Sequence, residues 1–280
     1  TVIASILRPH QGVVAADTGH IAAHETGAIE NSGHKVLTVP NTDGKIAAAQ
    51  VEELCRAHYA DASFEHTVQP GMVYISNPTE FGTVYTRGEL EALHAVCKAR
   101  HLPLFIDGAR LGAALYSPVC DYTLADMAHM CEVFTIGGTK MGLLFGEAAV
   151  FSAPELAKDF RYFIKQNGGM LAKGRLLGVQ FAAALEQDLW LDMGRHANTQ
   201  AQRIAAALSN LGVPMYVPSP TNQIFPILPD AKIAQLQERA AFYTNTRVDE
   251  THQAVRFVTS WATTDAQVDA LLALLNEVLG

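Results

Sequence analysis

Residues 102–115 read LPLFIDGARLGAAL. An apolar run from Leu102 to Ile106 is followed at once by Asp107 and, three residues on, by Arg110. Such a run without polar alternation predicts a strand buried on both faces, as in parallel sheets covered by helices. Open parallel sheets carry their sites at the carboxyl ends of the strands, and Asp107 stands at one such end. A strand-ending Asp also serves as a helix cap. Its meaning therefore depends on what else reaches the same rim.

Strand-like segments on either side are QGVVAA (11–16), KVLTVP (35–40), GMVYIS (71–76), EVFTIGG (132–138) and EAAVFSA (147–153). Between them, helix-like patterns cover 20–33, stopped by Gly33, then 46–59, 86–100 and 122–131. This alternation predicts an α/β fold with a mostly parallel sheet. From Trp190 the pattern changes to a long helix over 190–212, NQIFPIL, a helix over 230–243, AVRFVTSW and a last helix over 264–279. The expected division is a large domain over 1–189 and a smaller α+β domain over 190–280.

Nearly half of the 280 residues are apolar and 17% are charged, which describes a well-packed globular chain. A net charge of −8 speaks against a nucleic-acid partner, which needs clustered Lys and Arg. No apolar run approaches the roughly 20 residues of a membrane helix, and no leader-like start is present. Cys55, Cys97, Cys120 and Cys131 show no CxxC spacing, so reduced thiols in a cytoplasmic protein are expected.

Four polar residues follow four predicted strands: His20 in DTGH, Asn77 in SNPTEFGTV, Asp107, and Lys140 in GGTKMG. A lysine in a glycine-flanked loop is often a solvated charge. Here glycines on both sides, between two apolar strands, point to close backbone approach. A Lys and an Asp on one apolar rim are the minimum set for pyridoxal phosphate (PLP) chemistry. The amine forms a Schiff base and the carboxylate keeps the pyridine nitrogen protonated.

FIDGAR followed by FTIGGTK resembles the threonine aldolase and β-eliminating lyase family of fold type I PLP enzymes. DTGHIAAHETGAIE, SNPTEFGTVYT, NGGMLAKGRLLG and AVRFVTSW extend the resemblance, in order, over essentially the whole chain. It implies that Lys140 is the Schiff-base lysine and Asp107 the partner of the pyridine N–H. His20 is implied to stack on the cofactor and to serve in proton transfer with the substrate hydroxyl. Arg110 is implied to contact the cofactor or the substrate carboxylate, and Arg256 to bind that carboxylate as a bidentate fork. Thr139 is a candidate phosphate donor or a turn residue, and Asn77 and His24 are candidate substrate contacts. The implied reaction is retro-aldol cleavage of a threonine-like β-hydroxy-α-amino acid to glycine and an aldehyde, in a homodimer or homotetramer.

Other readings weigh against particular residues. His20, His24 and Glu25 have a spacing seen in zinc sites, but HExxH and a third ligand are missing, so no metal is expected. NGGMLAKGRLLG, near Lys165, Lys173 and Arg175, reads as a phosphate loop, or as a loop joining helices or lying at a subunit interface. A nicotinamide enzyme is excluded because no GxGxxG follows the first strand. Within the resemblance, TVIASILRPHQG follows a Gly-Thr-x-Ala-Asn loop that cradles the cofactor phosphate in relatives. The chain starts at or just after that loop, and Met141 stands where many relatives carry Asn. Weak PLP binding or aggregation of the chain alone is the expectation that follows. The alternatives are a β-eliminating lyase of the same fold and an inactive, cofactor-deficient scaffold.

Overall fold

The computed structural model describes all 280 residues, as two sheets and their covering helices. The first sheet holds β1 (Gln11–Ala16), β2 (Val36–Val39), β3 (Gln69–Ser76), β4 (Leu104–Asp107), β5 (Val133–Gly137) and β6 (Glu147–Phe151). Their spatial order is β2-β1-β3-β4-β5-β6. Neighbours run parallel except β6, which is antiparallel to β5. The parallel strands therefore end on one rim, and the reversed edge strand begins there, with Glu147 opposite Gly137.

Both faces of this sheet are buried, and the two-residue period sorts the side chains between two cores. On β3, Val73 and Ile75 join Val14, Leu90, Leu93 and Ile106 on one face. Met72 and Tyr74 join Val13, Phe105 and Val133 on the other. Fully burying one such side chain is worth about 1.5–3 kcal/mol. A one-residue slip would exchange the two sets, so the cores fix the register of the rim.

The second sheet is antiparallel. Its central strand β10 (His252–Val258) pairs with β7 (Gln223–Ile224), β8 (Ile227–Pro229) and β9 (Tyr243–Arg247). The expected boundary at 189/190 falls at the start of the helix Leu189–Asn210, which serves both parts. Its Trp190 belongs to the first core and donates Nε1–H to the Gly137 carbonyl at 3.0 Å. Its Ala201, Ile204 and Leu208 belong to the second core. The helix backbone reaches the helix Leu111–Leu115 through glycines, since a Cβ on Gly194 would lie 2.5 Å from the Gly112 carbonyl.

Two expected helices are revised. The segment 20–33 is two short helices, His20–Ala23 and Ala28–Asn31, because Thr26 (φ 55°) and Gly27 (φ 71°) break the run in left-handed geometry. The helix over 230–243 ends at Gln237, and Tyr243 opens β9. Residues 167–174 join the helices Phe160–Gln166 and Arg175–Leu185, which is the helix-joining reading of NGGMLAKGRLLG. No helix is long and apolar enough to cross a membrane. All four cysteines are free, with Cys55, Cys97 and Cys131 buried.

Candidate active site

The strand ends converge on a cavity of about 540 Å³. It is lined by His20, His24 and Glu25 after β1, Ser76 and Glu80 after β3, Asp107 and Arg110 after β4, Lys140 after β5, and Arg256 from β10. A larger cleft of about 820 Å³ lies elsewhere, but its Lys45 is neutralised by Glu89 at 2.8 Å.

Glycines bring Asp107 and Lys140 onto neighbouring loops. A Cβ on Gly108 would sit 1.9 Å from the Thr135 carbonyl oxygen, and one on Gly137 would sit 2.3 Å from the Ala109 oxygen. With neither present, Gly137 N–H donates to the Gly108 carbonyl at 3.0 Å and Gly108 N–H to Thr135 Oγ1 at 2.9 Å. Gly142, at φ 91°, then turns the chain away just after Lys140. The two loops are thus stitched together at the point where their functional side chains diverge.

The charges are arranged for a ligand rather than for one another. Asp107 accepts from Ala109 N–H at 2.9 Å and from Tyr74 O–H at 2.5 Å, which fixes its carboxylate plane. Burial, and then the Asp107 charge, push the Tyr74 phenol well above its ordinary range, so it stays a donor. Partial burial, and then the Arg110 charge, lower the pKa of Lys140. Burial and the neighbouring Arg256 bring Arg110 down to about 10. Neither Arg110 nor Arg256 has a carboxylate partner, whereas Arg56, Arg87, Arg100, Arg195, Arg203, Arg239 and Arg247 each have one. Arg256 lies over the Tyr243 ring at 5.1 Å and leaves its buried Nε without a partner. Two half-buried, unpaired guanidiniums repel each other unless an anion enters.

His20 Nδ1 meets Glu25 Oε1 at 2.5 Å, and the His24 ring stands edge-on at 5.2 Å. A carboxylate acceptor at Nδ1 assigns the proton to that nitrogen and leaves Nε2 as the basic one.

Two expected site residues do not join this group. Asn77 is wholly buried on the Val73–Ile75 face of β3, with its Nδ2 donating to Tyr122 Oη at 2.5 Å and its Oδ1 accepting from Tyr85 N–H at 3.3 Å. Strand parity sends Ser76 to the cavity and its neighbour away from it. Thr139 is exposed in the 3₁₀ turn Thr139–Met141 and does not line the cavity, since successive residues of such a turn point about 120° apart.

Several lining groups escaped the sequence reading. Glu80 Oε1 accepts from Ser76 Oγ at 2.6 Å and from His20 N–H at 2.9 Å. Gln223, Asn245 and Thr246 arrive from the second sheet, and Glu147 from the reversed edge strand. The one charge in the otherwise uncharged SNPTEFGTV was the available signal for Glu80. Burial raises the Glu80 pKa. Between 4.5 and that raised value the folded protein holds a proton the unfolded chain has released, so stability falls as pH rises. Glu80→Gln keeps an oxygen for both contacts. It is expected to melt above the parent at pH 8 and level with it at pH 4. Parallel melting curves at the two pH values would count against a buried charge here.

The model of the β-eliminating lyase family matches residues 1–231. The chain belongs to that family. It is 31% identical over 99% of its length to a low specificity L-threonine aldolase of Pseudomonas sp. (strain NCIMB 10558), covering 79% of that protein. A solved threonine aldolase of Leishmania major superposes with a TM-score of 0.94 at 43% identity, over 99% of this chain and 80% of that one. At the level of fold alone, N-succinyldiaminopimelate aminotransferase of Mycobacterium tuberculosis matches with a TM-score of 0.71 at 16% identity. The fold is that of fold type I PLP enzymes.

Proposed function

We propose that the chain is a PLP-dependent aldolase that cleaves threonine-like β-hydroxy-α-amino acids to glycine and an aldehyde. The observation that carries this reading is the meeting, in one cavity, of Lys140, Asp107, His20 and two unpaired arginines. These residues fit the cofactor. Lys140 offers an amine whose pKa is lowered, Asp107 offers a fixed carboxylate to a protonated pyridine nitrogen, and Arg110 offers an uncompensated cation. When bound, PLP supplies an electron sink for the pair released by Cα–Cβ cleavage.

The chain's own residues supply the rest. Arg256 binds the substrate carboxylate and so orients the bond to be broken. His20 Nε2 takes the β-hydroxyl proton, and Glu25 holds the ring in the tautomer that allows it. Lys140, neutral in a larger fraction than an ordinary lysine, exchanges protons at Cα. The test is to saturate the protein with PLP, look for a visible absorption band, and add L-threonine. Glycine and acetaldehyde in equal amounts are the expected products, whereas a 2-oxo acid with ammonia marks a β-eliminating lyase. Arg256→Leu should raise KM for threonine by about tenfold or more, in keeping with loss of a charged hydrogen bond. An unchanged KM would remove Arg256 from carboxylate binding.

Assembly into a homo-oligomer belongs to the same reading. The helix Arg175–Leu185 is largely apolar yet buries only Ala184, leaving Leu176, Val179 and Leu185 exposed. Leu144, 83% exposed, and Phe145 add to the apolar surface close after Lys140. Apolar surface of this extent marks an interface, and a second copy of the chain is its proposed cover. Sedimentation should give at least a dimer, and a monomer at micromolar concentration would contradict it.

A further inference from the structure

β7 and β10 run antiparallel, with Gln223 opposite Val258 and Ile224 opposite Phe257. Ile224 and Phe257 face the second core. Alternation therefore puts Gln223 and Arg256 together on the opposite face, as diagonal neighbours, and both line the cavity. Gln223 is 1% exposed, and neither its Nε2 nor its Oε1 has a partner in the protein. Arg256 Nε, beside it, is also buried and unpartnered. Burying an amide without hydrogen bonds is unfavourable, and native proteins rarely leave both ends of one unpaired.

We propose that Gln223 is a second recognition group for the substrate α-carboxylate, its Nε2–H donating to the anion that Arg256 holds. This rests on the aldolase reading of the cavity and adds to it a specificity-determining residue. A carboxylate has lone pairs enough for a guanidinium fork and an amide donor at once. The shared sheet face puts both donors on the same side of the ligand. Phe81 also lines the cavity and packs on Phe225 at 5.7 Å between centroids, giving that wall a rigid apolar backing.

Calorimetric titration of the PLP-loaded protein tests this with two probes. Glycine carries the carboxylate without a hydroxyl, and ethanolamine carries a hydroxyl without the carboxylate. Gln223→Leu is expected to weaken glycine about ten- to hundredfold, the range for one hydrogen bond to a charged group, and to leave ethanolamine unchanged. Gln223→Glu, nearly the same shape, should weaken glycine further by repulsion. An unchanged glycine Kd in Gln223→Leu, with or without a change in melting temperature, overturns the proposal. So does an equal loss for ethanolamine, which would assign the amide to the hydroxyl instead. If the parent binds no glycine, the aldolase reading fails. If the parent binds and Arg256→Leu alone weakens it, only the role of Gln223 fails.

Discussion

Replacing Lys140 by Ala is expected to lower threonine cleavage by at least about a thousandfold while leaving the melting temperature unchanged. A positioned proton-transfer group alone is worth ~10²–10⁴, and Lys140 is in addition the proposed covalent anchor. Its side chain is only partly buried, at the cavity wall, and makes no ion pair or hydrogen bond within the protein, so little packing is lost. The lowered pKa has a direction that can be checked. Burial and the Arg110 cation both disfavour the ammonium form. Arg110→Gln should therefore move the acidic, ascending limb of the pH–rate profile to higher pH, as Lys140 recovers part of its ordinary pKa. Substantial turnover by Lys140→Ala, or a visible PLP band as strong as the parent's, would show that another amine does the work.

Gly108→Ala should combine a large loss of stability with a large loss of activity, although the glycine touches no ligand. The added carbon would lie 1.9 Å from the Thr135 oxygen and 2.9 Å from Leu111 Cβ. The first of these is backbone in the middle of the sheet and has no room to yield. Overpacking of this sort costs typically 1–3 kcal/mol, occasionally more. At the upper end the melting temperature falls by roughly 6–12 °C for a chain approaching this size. The loops carrying Asp107 and Lys140 would separate, so kcat falls even below the melting range. Gly88→Ala is the control, since nothing lies within 4 Å of its added carbon. Equal melting temperatures for Gly108→Ala and Gly88→Ala would refute the close-packing argument.

The rim was legible because its strands are uninterrupted apolar runs, and the residues ending them stand out by contrast. Arg256, inside a strand rather than at its end, was reached only through the resemblance of AVRFVTSW to the family. Asn77 misled because closeness to a strand end does not reveal which face a residue takes; the pairing register does. Glu80 is delivered by a turn whose path no periodicity encodes. β9 was hidden because YTNTR is polar and mostly exposed, so it lacks the apolar alternation by which strands are found. Its position beside β10 is a tertiary fact, and with it went the placing of Asn245 and Thr246. Gln223 had a weak signal of its own, a polar residue opening the apolar run NQIFPIL.

The helix Leu189–Asn210 has a consequence for how the molecule comes apart. Its first turn inserts Trp190 into one core and its later turns carry Ala201, Ile204 and Leu208 into the other. Asn198 Nδ2 also donates to the Ala113 carbonyl across the junction at 2.8 Å. The two halves consequently cannot melt one after the other without tearing a shared rod. Calorimetry should record one cooperative transition, with calorimetric and van't Hoff enthalpies in agreement. Cutting the gene at either end of that rod would leave one half without a wall of its core. The smallest autonomous folding unit of this architecture therefore contains both sheets.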